Sequence, residues 1–250
     1  MVLAINIGNT NIAVGNFSGN DAVVHRYNHK ERKLQEDFIN SLKEDFLNKK
    51  DIKTVAIASV VPELTPVISD MLLEATGKNP ILINTSTDFG LDFSAYDSRL
   101  LGTDRLLCCV AALNKYQVPA IVIDLGTAIT VNVLDIKGAF IGGSILPGIQ
   151  MGLDALTKGT ALLPKGKLVV PDTIIGNNTA TCLTSGAIYG AASIIEGMVN
   201  KTEKELGYRC SVIVTGGSAK DIIPFCDVEL VYDPNLLLEG IVMTMGKQEV

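Results

Sequence analysis

Two stretches of the chain begin in the same way, and that repetition limits the folds open to it. Val2 to Asn6 is a short apolar run leading through Ile7 into a Gly8-Asn9-Thr10 turn, and Asn11 to Phe17 resumes a strand-like pattern. Ala120 to Asp124 is a second apolar run that ends at Leu125-Gly126-Thr127, and Ile129 to Asp135 returns from it. Each reads as a β-hairpin closed by a polar, glycine-containing bend. We read the restart as a remote internal duplication with its boundary near Tyr116 to Pro119. That gives an N-terminal lobe, residues 1–116, and a C-terminal lobe, residues 117–250.

The segments around the hairpins alternate between helix and strand. Leu34, Phe38, Leu42 and Phe46 recur every fourth residue, which predicts a helix from Leu34 to Asn48 with one apolar face. Val55–Ala58 and Pro80–Ile83 read as strands, and Glu63–Thr76 and Leu101–Lys115 as helices. In the second half, Ala139–Ser144 and Ser211–Val214 read as strands. Gly148–Leu156, Ala180–Leu206, a segment from Ser218 and Asn235–Met245 read as helices. This alternation predicts an α/β fold with helices covering a mixed sheet.

Composition narrows the function classes. Of 250 residues, 47% are hydrophobic and 19% charged, enough apolar material for a sizeable core. The net charge of -6 argues against nucleic acid or an anionic membrane as the main partner. The mixed-charge stretch from His25 to Lys50 reads as a solvated helix face. Five cysteines without repeated spacing fit neither a disulfide framework nor a zinc site, and are read as buried free thiols in a reducing compartment. The N-terminal apolar run is too short for a signal peptide, and no stretch is read as a membrane span. The expectation is a soluble, cytoplasmic protein.

The two bends carry the first candidate chemistry. A strand that turns through glycine can aim backbone N–H groups at one spot, a concavity suited to phosphate. Thr10 and Thr127 add hydroxyls beside Gly8 and Gly126, and Asp124 adds a carboxylate able to hold a hard cation. An ordinary hairpin bend is the alternative for either loop alone; two at equivalent places favour phosphate. Thr215-Gly216-Gly217 is a third site of close backbone approach, or else a plain strand-to-helix turn. Neither a Gly-Lys-Ser/Thr phosphate loop nor a dinucleotide fingerprint is present. Farther along, Gly102-Thr103-Asp104-Arg105 opens a predicted helix. Asp104 reads either as its N-cap with a surface Arg beside it, or as a base for an acceptor hydroxyl with Arg105 holding an anionic substrate group.

Taken together, these runs resemble the type III pantothenate kinases of the acetate and sugar kinase, heat-shock protein and actin superfamily. The matching segments are Gly8-Asn9-Thr10-Asn11, Ser59-Val60-Val61-Pro62, Gly102-Thr103-Asp104-Arg105 and Asp124-Leu125-Gly126-Thr127-Ala128. Gly142-Gly143, Pro147-Gly148, Asn178-Thr179 and Thr215-Gly216-Gly217 follow in family order. The resemblance implies two similar actin-like (ribonuclease H-like) lobes, each a mixed five-stranded sheet flanked by helices, with a nucleotide in the cleft between them. It implies ATP-dependent phosphorylation of pantothenate, the first step of coenzyme A biosynthesis, by a cytoplasmic homodimer. By the same resemblance Asn6, Ile7, Gly8, Asn9, Thr10, Asn11, Ile12, Ala13 and Thr127 contact ATP. Asp104 is the catalytic base. Tyr96, Gly102, Thr103, Asp104, Arg105 and Thr179 contact substrate, Thr179 across a dimer interface. Asp124 binds a monovalent cation, K⁺ or NH₄⁺, and Mg²⁺ accompanies ATP.

Three positions depart from the family pattern. Members usually carry Asp where this chain has Asn6, so a charge that helps position metal–ATP is missing. The spacing from Tyr96 to Gly102 is narrower than usual and lacks a proline, while Arg99 within it reads as a second cation for the substrate or as a solvated side chain. Asn177 stands where a basic residue is common. Two alternatives follow: a kinase of another small hydroxy acid, or a catalytically impaired, nucleotide-binding regulatory homologue.

Overall fold

The apolar runs become the central strands of two separate sheets. In the computed structural model, which describes residues 1–18, 21–29, 40, 42, 44, 46, 52–97, 101–160 and 169–246, the strands are β1 (Val2–Ile7), β2 (Asn11–Ser18), β3 (Asp21–Asn28), β4 (Thr54–Ser59), β5 (Ile81–Ile83), β6 (Ala120–Leu125), β7 (Ala128–Leu134), β8 (Phe140–Pro147), β9 (Ser211–Thr215) and β10 (Val231–Tyr232). The helices among the described residues that the sequence motifs depend on are α1 (Thr65–Thr76), α2 (Thr103–Lys115), α3 (Ile149–Gly159), α4 (Thr179–Leu206), the short α5 (Ala219–Ile222) and α6 (Leu236–Gly246).

The first sheet runs β3-β2-β1-β4-β5, the second β10-β9-β6-β7-β8. Read in chain order within each set, these are the same topology. Three strands meander antiparallel, and two more are added parallel to the first. The duplication seen in the hairpins therefore extends through both sheets. Alternation along β1 sends Leu3, Ile5 and Ile7 to one face, where they meet Ile12, Val14, Val55, Ile57 and the α1 residues Ile68 and Leu72. Ile121, Ile123 and Leu125 of β6 do the same against Val212, Val214 and the α4 residues Ile188, Ala191, Ile195 and Val199.

Several expectations change. His25 to Asn28, read as part of a helix face, belongs to edge strand β3. An edge strand with one solvated side keeps polar residues, so its periodicity is weak. Of the predicted Leu34–Asn48 helix, Leu42 and Phe46 are fully buried in the first core, while Leu34 and Phe38 lie outside the described residues. The short strand β10 has no sequence signal in the reading above. Cys108 and Cys109 are buried as expected, but Cys182 is exposed and Cys210 and Cys226 are half-buried. By length and composition, the 28-residue α4 is apolar enough to cross a membrane, contrary to the reading that no stretch qualifies. Its apolar stripe at Ile188, Ala191, Ile195 and Val199 is accounted for by packing on the second sheet.

The chain divides into two compact units, Met1–Asn114 with Asn235–Val250, and Lys115–Pro234. The first crossing lies close to the expected boundary. The C-terminal segment, assigned to the second lobe from sequence, instead joins the first unit. The reason is steric and local: α6 packs on β1, β2 and β4, and Gly240 lets its backbone touch the carbonyl of Leu107 in α2. Within the second unit, buried Asp233 pairs with Lys115 and accepts a hydrogen bond from the Tyr116 hydroxyl at 2.8 Å, holding that unit's two ends together.

A methyl group on Gly240 would lie 2.7 Å from the Leu107 carbonyl carbon. Gly240→Ala is expected to lower stability by about 1–3 kcal/mol, because overpacking outweighs the helix propensity gained. Gly197→Ala, in α4 with open space at the added methyl, should be neutral or stabilising by up to about 1 kcal/mol. Urea denaturation of both variants checks the contrast.

Candidate functional site

The first loop is anchored by the residues on either side of it. Ile7 and Ile12 face each other across β1 and β2 and are fully buried. Asn6 sits half-buried one step earlier, opposite Ala13 on β2 and Ala58 on β4. Between these anchors Gly8, Asn9 and Thr10 make the turn, with Asn9 and Asn11 exposed. The Gly8 N–H donates to the Asn11 carbonyl at 3.0 Å. That amide therefore closes the hairpin rather than facing outward, which corrects the simplest picture of a glycine cradle. His29 braces the loop from the end of β3. Its ring Nε2 lies 2.9 Å from the Gly8 carbonyl oxygen, and its N–H donates to the Thr10 carbonyl at 3.2 Å. The sequence reading did not single out His29; no motif marks it.

Beside this loop the Val60 N–H donates to the Ile7 carbonyl at 3.0 Å. Ser59 Oγ accepts from the Val61 N–H at 3.1 Å and from the Thr65 hydroxyl at 2.7 Å. The Ser59-Val60-Val61-Pro62 motif is thus a turn that launches α1 and abuts the first loop.

In the same unit, the start of α2 gathers the predicted acceptor residues. The helix begins at Thr103, so Asp104 lies in its first turn and the N-cap alternative does not hold. An acidic group there is still favourable to the helix dipole. Asp104 Oδ1 accepts from the Arg105 N–H at 2.8 Å, and the carboxylate folds over Gly102, leaving no room for a Cβ there. Arg105 is only 6% exposed. Its guanidinium donates to the Tyr96 hydroxyl at 3.3 Å and its Cζ lies 5.6 Å from that ring's centroid. The structure thereby brings Tyr96, Asp104 and Arg105 together despite the altered spacing; Arg99 lies outside the described residues. Burial pushes the neighbouring Cys109 thiol up to about 12, with Arg105 pulling the other way.

In the second unit, the Asp124–Thr127 loop is braced by bare backbone. Asp124, half-buried, is next to last in β6 and faces Thr130 and Thr215 on the adjoining strands. Gly216 has a left-handed backbone, φ 101°. A Cβ there would sit 2.5 Å from both Asp124 Oδ1 and the Leu125 nitrogen. On the other side, the Gly148 N–H donates to the Thr127 carbonyl at 3.1 Å, and a Cβ on Gly148 would overlap that oxygen. The Gly126 N–H is spent on the Ala128 carbonyl, 3.1 Å away, while Thr127 is exposed. Pro147-Gly148 and Thr215-Gly216-Gly217 are therefore the two walls of this loop. Among the described residues no cluster of three or more His, Cys, Asp or Glu side chains forms a metal cage. Asp124 offers one hard oxygen donor, which suits a cation shared with phosphate oxygens and carbonyls.

Thr179 opens α4. The Asn178 side chain caps the helix, accepting from the Thr181 N–H at 3.0 Å, and the Thr181 hydroxyl accepts from the Asn178 N–H at 3.1 Å. Thr179 and Cys182 line an apolar groove of about 550 Å³ between α3 and α4, with Leu153, Leu156, Gly186 and Gly190.

Comparison with known proteins converges on one family. The family model described as type III pantothenate kinase matches residues 2–201. Type III pantothenate kinases from Moorella thermoacetica and Roseiflexus sp. are 37% and 35% identical, over 96% of this chain and 97% and 96% of theirs. One from Agathobacter rectalis is 33% identical over 99% of this chain and 98% of its own. Among solved structures, a protein described as a Baf family transcriptional activator from Campylobacter jejuni superposes with TM-score 0.61 at 19% identity, covering 99% of this chain and 98% of that one. The Acidaminococcus fermentans (R)-2-hydroxyglutaryl-CoA dehydratase component A gives 0.54 at 16% identity, covering 97% and 95%. These structures share the actin-like fold. By sequence, this chain belongs to the type III pantothenate kinase family.

Proposed function

We propose that the protein transfers the γ-phosphoryl group of ATP to the primary hydroxyl of pantothenate, giving 4′-phosphopantothenate, the first step of coenzyme A biosynthesis. The observation that carries this reading is the grouping of Asp104, Arg105 and Tyr96. Pantothenate presents a hydroxyl and a carboxylate. A carboxylate base beside a buried, preorganised guanidinium matches those two groups. Asp104 Oδ1 is taken by the Arg105 N–H, so Oδ2 is the oxygen that receives the hydroxyl proton as the new O–P bond forms and ADP departs. Arg105, aligned by the Tyr96 hydroxyl, holds the anionic end, with Gly102 and Thr103 shaping the approach.

Phosphoryl transfer asks mainly for positioning and charge neutralisation. In this reading the run Asn6 to Ala13 and Thr127 contact ATP phosphates. Asp124 holds a monovalent cation, K⁺ or NH₄⁺, and Mg²⁺ arrives with the nucleotide. These ions supply positive charge against the phosphate oxygens. Asn6 contributes an amide oxygen where the family resemblance implies a carboxylate. The lost charge is worth on the order of a few kcal/mol next to a divalent ion, and each roughly 1.4 kcal/mol of transition-state stabilisation is about tenfold in rate.

The same reading makes the protein a cytoplasmic homodimer. The α3–α4 groove and the exposed Met151, Leu156, Ile174, Ile175 and Ile194 offer a second copy an apolar surface. Thr179, the residue the family resemblance places across a dimer interface, lines that groove.

The direct test is ADP release with pantothenate, Mg²⁺ and K⁺ or NH₄⁺, run on the protein beside Asn6→Asp. Pantothenate-dependent turnover is expected, with Asn6→Asp faster by about tenfold or more. Absence of turnover in both proteins sinks the proposal. Asp104→Asn should lower kcat by about 100- to 10,000-fold while leaving ATP binding intact; a smaller loss removes Asp104 from the role of base. Sedimentation should give twice the chain mass, and Leu156→Glu should shift it towards a single chain; an unchanged mass moves the interface elsewhere.

A further inference from the structure

The first loop poses a question that the family motif leaves open. Its glycine amide is committed to the Asn11 carbonyl, so something else must aim the remaining N–H groups. Both outward carbonyls of the turn are held by one residue. The Gly8 carbonyl meets the His29 ring at 2.9 Å, and the Thr10 carbonyl meets the His29 N–H at 3.2 Å. A carbonyl oxygen only accepts, so the ring nitrogen facing it, Nε2, must carry the proton. His29 is half-buried at the end of β3, and that strand is paired along its whole length with β2. His29 follows Asn28, the last β3 residue, so the sheet holds the start of its backbone and the Gly8 carbonyl holds its ring.

In a planar trans peptide, the carbonyl of one residue and the N–H of the next point in opposite directions. Fixing the Gly8 carbonyl on His29 therefore turns the Asn9 N–H to the other side of the loop. Fixing the Thr10 carbonyl on β3 turns the Asn11 N–H towards β1, the side on which the Asn11 carbonyl accepts from Gly8. We propose that His29 is a positioning residue for nucleotide binding: through the Nε2–H bond to the Gly8 carbonyl it sets the peptide plane that presents the Asn9 N–H to an ATP phosphate. The backbone bond from the His29 N–H to the Thr10 carbonyl sets the second plane and is independent of side chain. The inference rests on the phosphate role proposed above for Asn6 to Ala13.

The two parts of the brace can be separated by mutation. His29→Ala removes the side-chain donor and keeps the backbone bond. His29→Gln carries an amide N–H at nearly the reach of Nε2 and restores the donor. Direct calorimetric titration with ADP and with a non-hydrolysable ATP analogue needs no acceptor, so it reports on the loop even if pantothenate is not the substrate. Loss of one hydrogen bond that fixes the cradle should weaken the ATP analogue by roughly tenfold in His29→Ala. His29→Gln should recover affinity to within about threefold of the parent. In turnover, the effect should fall on the KM for ATP and not on the KM for the acceptor. Equal affinity of parent and His29→Ala overturns the proposal. So does a His29→Gln that is folded, by its denaturation midpoint, yet binds as weakly as His29→Ala. If the parent itself binds neither nucleotide, the phosphate reading of the loop fails first, and that outcome is distinct from failure of the His29 assignment alone.

Discussion

The Asp124–Thr127 loop depends on the absence of side chains at Gly148 and Gly216. Each brings bare backbone against the Asp124–Thr127 loop, and at neither position does a Cβ fit. At Gly216 the left-handed backbone adds a second reason for glycine. Held from two sides, the loop has little freedom, and the Asp124 carboxylate lies close against the Gly216 backbone. Preorganisation of that kind reduces what must be ordered during binding. The equivalent loop of the first unit is braced differently. Both loops have a carbonyl held by a backbone N–H, Thr10 by His29 and Thr127 by Gly148, but in the first unit a side chain, the His29 ring, also reaches the Gly8 carbonyl. The duplicated hairpins share topology but not the means by which their turns are held, so their tolerance of substitution differs.

Electrostatics in the first unit follow from where the sequence buries a charge. A guanidinium that is 6% exposed is costly unless its donors are met and its charge has use. The Tyr96 hydroxyl and ring meet part of that need. Asp104, one residue earlier, leans back over Gly102, where a side chain would displace it. The Gly-x-Asp-Arg sequence is therefore one steric and electrostatic unit. The glycine makes space, the helix start supplies the N–H that steadies the carboxylate, and the arginine occupies a site too dry for a lone cation.

The parts of the fold that were legible in the sequence are those whose pattern is set by burial on a regular surface. The unbroken apolar runs in Val2–Asn6 and Ala120–Asp124 mark central strands because both neighbours are present and both faces are buried. Strand β3 escaped notice because an edge strand answers to solvent on one side, and its His25, Arg26 and Asn28 look like any polar face. The site motifs were legible where glycine is sterically required, as at Gly216. They were ambiguous where a residue's role depends on its exact neighbour. Sequence leaves Asp104 open between an N-cap and a base because a cap and a first-turn acid differ by one position. His29 carried no signal, since a contact from a side chain to a carbonyl 21 residues away leaves no periodicity. The assignment of the last helix failed for a similar reason: its partner, Leu107, lies far back along the chain.

That last helix has a consequence for how the protein is made. The strands of the first unit leave the ribosome before the second unit, yet α6, which packs on β1, β2 and β4, is synthesised after it. The second unit is continuous in sequence and holds every strand of its own sheet between Lys115 and Pro234. During synthesis, at roughly 5–20 residues per second, the later unit is thus complete before the earlier one. The earlier unit therefore waits for α6 with part of its apolar sheet uncovered, and a ribosome stalled short of Leu236 would leave the damage in β1, β2 and β4 rather than in the segment not yet made.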